Sequence, residues 1–102
     1  MTSYPAIRDP NRCPSHPGAV LDDILMDLDI TKVQVAAYLG ISRQHLHDIL
    51  TEKKPVSLAV AARIGKFIGD GPAIWLNLQA DYDAWHAERE IDTSDIPTYR
   101  AA

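Results

Sequence analysis

From residue 17 onward the apolar positions recur every three or four residues, the spacing of one helix face, and no run alternates apolar and polar as a half-buried strand would. Val20, Leu21, Ile24, Leu25 and Leu28 form a first apolar stripe, with aspartates on the opposite face, and Pro17 suits a first helical turn. Thr31 opens a second helix, and Gln34 three residues on completes a capping-box pattern. Val35, Ala36 and Leu39 face inward, and Gly40 suits a left-handed helix stop. Ser42 caps a third helix whose buried side is Leu46, Ile49 and Leu50. After a loop, TEKKPVS, Ser57 caps a fourth helix carrying Leu58, Ala61, Ala62, Ile64 and Ile68, ended by Gly69 and Gly71. Pro72 opens a fifth with Ile74, Trp75, Leu78, Tyr82 and Trp85. The pattern predicts an all-α fold of five helices over residues 16–90, with a flexible N-terminal arm (1–15) and a C-terminal tail (91–102).

Two of these helices are joined unusually tightly. Crossing helices need a short turn with a residue that tolerates positive φ, and a small residue where their backbones approach. Gly40 and Ala36 supply these, so residues 32–51 read as a helix-turn-helix. Its second helix turns Ser42, Arg43, Gln44, His47 and Asp48 outward. In a recognition helix such residues reach base edges in the major groove. Arg43 has the donors for guanine O6 and N7, and Gln44 the donor and acceptor for adenine N7 and N6. Lys32, Thr51, Lys53 and Lys54 are placed to meet phosphates, which position the protein without specifying sequence. Asp48 is the unfavourable member of this face.

Charge sharpens the picture. The chain carries a net −4 over 102 residues, which excludes a simple basic nucleic-acid sponge. Residues 31–54 nevertheless sum to +2, between acidic flanks of −4 (21–30) and −5 (81–96). A basic centre suggests one anionic partner, and the flanks leave room for a cationic one. The composition, 46% hydrophobic and 24% charged, is that of a soluble globular domain. No apolar run approaches the length of a membrane span, no signal-peptide core opens the chain, and Cys13 is alone, all of which fit a cytoplasmic location.

Three stretches, HPGAVLDDIL, LGISRQHLHDIL and IGDGPAIWLNLQADYD, resemble the HigA antitoxins of the phage-repressor (Xre/Cro-like) helix-turn-helix superfamily, over roughly residues 16–86. The resemblance implies a bacterial antitoxin that represses its own operon and neutralises a small basic RelE/HigB-like toxin that cleaves messenger RNA. It carries the DNA role onto Arg43 and Gln44, with Lys32 as a backbone contact. Ala19 and Gly71 depart from the family pattern, which has Glu at the first and Ser or Thr at the second.

Other chemistry finds little footing. His45 and His47 point to different faces, and Asp83, His86 and Glu90 share a face in a common solvated pattern, so no metal or cofactor is expected. No phosphate loop, HExxH or nucleophile elbow occurs, and an enzyme is not expected. Tyr82 and Trp85 lie far along the last helix and are expected in a homodimer interface. The acidic residues Asp22, Asp23 and Asp27 are the expected toxin contacts. A stand-alone repressor, or an interaction module that has lost DNA binding, are the alternatives.

Overall fold

The computed structural model describes residues 11–100. Five helices follow one another there, with no strand among the described residues: α1 (Pro17–Met26), α2 (Lys32–Leu39), α3 (Arg43–Leu50), α4 (Leu58–Ile68) and α5 (Ala73–Glu90). None is long and apolar enough to cross a membrane. α3 packs on α1 and α2, while α4 lies between α2 and α5. The core is Leu21 and Leu25 of α1, Val35, Ala36 and Leu39 of α2, Leu46, Ile49 and Leu50 of α3, Val56 of the loop that follows, Val60, Ala61 and Ile64 of α4, and Trp75 of α5.

The helix ends explain why the short elements hold. In α2 the Gln34 amide donates to Thr31 Oγ1 at 3.1 Å, while Gln34 Oε1 accepts from the Thr31 amide at 2.9 Å. Both partners satisfy donors that a helix start leaves open. Gly40 then stops the helix at φ 70°, and the Arg63 guanidinium covers the preceding end by donating to the Leu39 carbonyl at 3.0 Å. Ser42 and Ser57 cap α3 and α4 through the amides of His45 and Val60. α5 starts at Pro72 with no side-chain cap, as the glycine at position 71 leads one to expect.

α3 ends differently. The amides of Glu52 and Lys53 turn back to the carbonyls of Ile49 and Asp48 at 3.0 and 2.7 Å, which puts Glu52 in the left-handed position at φ 66°. Glycine normally occupies that slot because a Cβ is strained there. Glu52→Gly is therefore expected to raise stability by about 0.5–1 kcal/mol, read as a higher thermal midpoint; an unchanged or lower midpoint would show that the Glu52 side chain contributes more than its backbone strain costs.

Some inward assignments are corrected. α1 stops at Met26 because the Asp27 amide closes onto the carbonyls of Ile24 and Leu25, so Leu28 falls outside the stripe and is 40% exposed. Ile30, just before the Thr31 cap, is the residue that packs against the core there. In α4, Leu58 and Ala62 face solvent and Val60 takes the inward place, because the helix begins only at Leu58 and its buried arc runs through Val60, Ala61 and Ile64. Ile74 is likewise exposed, since α5 turns Trp75 and Gln79 to the core.

Candidate nucleic-acid interface

The start of α3 gathers the outward residues. Leu46, Ile49 and Leu50 bury one side of the helix, which turns Arg43, Gln44 and His47 to solvent. Together with Lys32 and Val33 from the start of α2 they line a shallow hollow of about 510 Å³. Two helix starts therefore converge on one surface, each with backbone N–H groups that favour an anion. Lys32 shares its charge with Asp22 of α1 at 3.5 Å, and both ends of that pair are partly exposed. Such a pair in solvent is worth little, so the ammonium can exchange partners readily.

The other members lie outside this hollow. The Ser42 hydroxyl accepts from the His45 amide at 2.9 Å, and Thr51 Oγ1 donates to the His47 carbonyl at 2.8 Å, so both hydroxyls help close helix ends. Lys53 and Lys54 are exposed on the turn after α3. Asp48 answers its own puzzle. Its carboxylate accepts from Gln44 Nε2 at 2.9 Å and lies 3.7 Å from the Lys54 ammonium.

Beneath the surface, α5 braces the loop that follows α3. Gln79, buried in α5 beside Trp75, accepts from the Val56 amide through Oε1 at 2.7 Å and donates from Nε2 to Asp83 at 2.9 Å. Val56 is thereby drawn into the core, although its neighbour Pro55 is exposed. Trp75 is fixed by its indole N–H, which donates to Asp70 at 3.0 Å. His16, 3% exposed, caps α1 by accepting from the Gly18 amide through Nδ1 at 2.9 Å, and its ring meets Tyr82 edge-on at 4.9 Å. Sequence reasoning missed Gln79, Val56 and the cap at His16.

His16 is expected to make the domain acid-sensitive. Burial holds its imidazole below the ordinary range, partly opposed by the carboxylates of Glu52 and Asp83 and by the Lys54 carbonyl. The unfolded chain therefore takes up this proton at a higher pH than the folded one. The stability is complete above the ordinary value near about 6.5 and is lost as pH falls from there through the lowered folded value. Urea midpoints at pH 7.5 and 5.5 should drop more for the native chain than for His16→Asn, which retains a cap acceptor but does not titrate. Equal drops would remove His16 from the explanation.

The residues expected to meet protein partners lie elsewhere. Tyr82 and Trp85 are both half-buried against the chain itself: Tyr82 between His16 and His86, Trp85 under the Arg89 guanidinium at 4.0 Å. Asp22 is half-buried toward Lys32, while Asp23 on α1 and Asp27 at its C-terminal cap are exposed. His86 pairs with Glu90 and lies 3.6 Å from Cys13 Sγ, and Asp83 is engaged by Gln79. Among the described residues no three His, Cys, Asp or Glu side chains converge as a metal ion would require.

Known proteins share this arrangement. An addiction-module antidote protein of the HigA family from Coxiella burnetii is 32% identical, with 87% of this chain and all of that one superposed at a TM-score of 0.77. A candidate antidote protein of a plasmid maintenance system from Nostoc punctiforme is 41% identical over 76% of this chain and 86% of its own, with a TM-score of 0.74. The chain belongs to the HigA family of helix-turn-helix antitoxins. Another HigA, the Pseudomonas aeruginosa antitoxin solved with the higBA promoter, is 31% identical over 78% of this chain and 97% of that one, with a TM-score of 0.66. Virulence-associated protein A' of Dichelobacter nodosus is 35% identical over 69% of this chain, which spans only 62% of that protein. No family model matches the chain. Within the HigA frame, the HPG and WLNLQ stretches are the ones that cap α1 and brace the loop after α3.

Proposed function

We propose that this chain is the antitoxin of a type II toxin–antitoxin module and represses its own operon, as a homodimer, on a two-fold operator. The observation that carries the reading is the hollow at the starts of α2 and α3, where Lys32, Arg43, Gln44 and His47 meet. Arg43 and Gln44 read base edges, and Lys32, Ser42, His47, Thr51, Lys53 and Lys54 meet the backbone. The Pseudomonas aeruginosa relative solved with its promoter supports the DNA partner. The exposed parts of Tyr82 and Trp85 supply the dimer contact, and the acidic face of α1, at Asp22, Asp23 and Asp27, meets a small basic RelE/HigB-like toxin in the cytoplasm.

Footprinting of the native promoter tests this directly. Two protected half-sites about 34 Å apart are expected, as two recognition helices on one DNA face require. A single half-site, or no protection at low salt, would overturn the repressor reading. The toxin arm is tested by co-purifying the product of the adjacent gene at moderate salt. An adjacent product that is acidic and does not bind would leave a stand-alone repressor.

A further inference from the structure

A carboxylate on a face that meets phosphates is unfavourable unless it is held for a purpose. Asp48 is held on two sides. Its side chain is only 14% exposed, with Lys54 Nζ 3.7 Å from Oδ2 and Gln44 Nε2 donating to Oδ1 at 2.9 Å. The backbone tightens the same point, because the amides of Lys53 and Lys54 both donate to the Asp48 carbonyl, at 2.7 and 3.1 Å. We infer that Asp48 is a positioning residue for base reading: it fixes the orientation of the Gln44 amide so that one donor–acceptor pattern faces the major groove. The inference rests on the DNA reading above and deepens it.

The chemistry allows one orientation. An ionised carboxylate only accepts, so only the NH₂ end of Gln44 can face it, and a flipped amide would set Oε1 against negative charge. One Nε2 hydrogen goes to Asp48. The second hydrogen and Oε1 remain, and these are the donor and acceptor that pair with N7 and N6 of adenine. Residues 44 and 48 are one helical turn apart and so are neighbours on the surface. Lys54 offsets the charge of the carboxylate, and Gln44 gives up part of its rotamer freedom before DNA arrives rather than on binding.

The isosteric variant Asp48→Asn separates this role from a structural one. The carboxamide it introduces accepts from the Gln44 NH₂ or donates to its Oε1, so both orientations of Gln44 become acceptable. The experiment selects duplexes from a randomised library with the native chain, Gln44→Ala, Asp48→Asn and the double variant, at one salt concentration. The position whose preference disappears in Gln44→Ala is the one Gln44 reads. Asp48→Asn is expected to lower the preference there about tenfold, with unchanged preferences elsewhere and an unchanged thermal midpoint. In the Gln44→Ala background it should add nothing at that position. Full retention of the preference by Asp48→Asn would overturn the inference, as would an equal loss at every position, which would make Asp48 part of the scaffold. A native chain that enriches no sequence would overturn the DNA reading and this inference together, and is recognised because Gln44→Ala then behaves as the native chain does.

Discussion

Gly18→Ala is expected to cost about 3 kcal/mol or more of folding stability, at the upper end of what overpacking a core does. A Cβ at position 18 would stand 1.8 Å from the Ile49 carbonyl oxygen and 2.7 Å from its carbon. Both atoms belong to the backbone of α3, so no side chain can swing away. Relief requires α1 and α3 to separate, and that separation loosens Leu21, Leu46 and Ile49, each nearly fully buried. Against a typical total of about 5–15 kcal/mol, the loss is a large fraction. Urea unfolding followed by circular dichroism measures it. A native midpoint would show that the two helices do not approach this closely.

Arg43→Ala should leave that unfolding curve almost unmoved, because Arg43 lies on the exposed side of α3. On the proposed function its effect is expected on DNA: about 1–3 kcal/mol of operator affinity, with relaxed preference at one position in each half-site. Lys53→Ala is the proper contrast. It should weaken all duplexes alike and flatten the salt dependence by about one unit of slope. Lys54 serves less well for this purpose, since removing it also releases the carboxylate of Asp48. Fluorescence anisotropy on operator and scrambled duplexes across a salt series separates the two kinds of loss. If Arg43→Ala weakened operator and scrambled DNA equally, the recognition face would lie elsewhere.

The parts of this fold that were legible in the sequence are those written over three or four residues. Thr31 with Gln34, Ser42, Ser57 and Gly40 each announce a helix end through bonds made within their own turn, and each sits where that chemistry predicts. The outward set at Arg43, Gln44 and His47 follows from the same local period. What stayed hidden depends on partners far along the chain. Gln79 looks like a surface residue until Val56, 23 positions earlier, is seen to need an acceptor. Gly18 looks like part of a helix start until Ile49 arrives against it. Part of the Tyr82 ring is covered by His16, just ahead of α1, a contact between distant positions that no local spacing announces. Leu28 was misread for a simpler reason, since a stripe extrapolated at constant period takes no account of where the helix stops.

The brace formed by Gln79 and Val56 has a consequence for how such a protein can change. The atoms that hold α3 in place lie behind it, in the core and in the loop, whereas Arg43, Gln44 and His47 contribute no buried apolar surface to the domain. Exposed substitutions of this kind ordinarily move stability by less than about 0.5 kcal/mol. A library randomised at those three positions should accordingly consist mostly of folded members with nearly the parental melting temperature. On the proposed DNA reading, drift or selection can then retarget the helix to a new site without first searching for a compensating stabiliser, so that chains sharing this single frame are free to diverge in what they read.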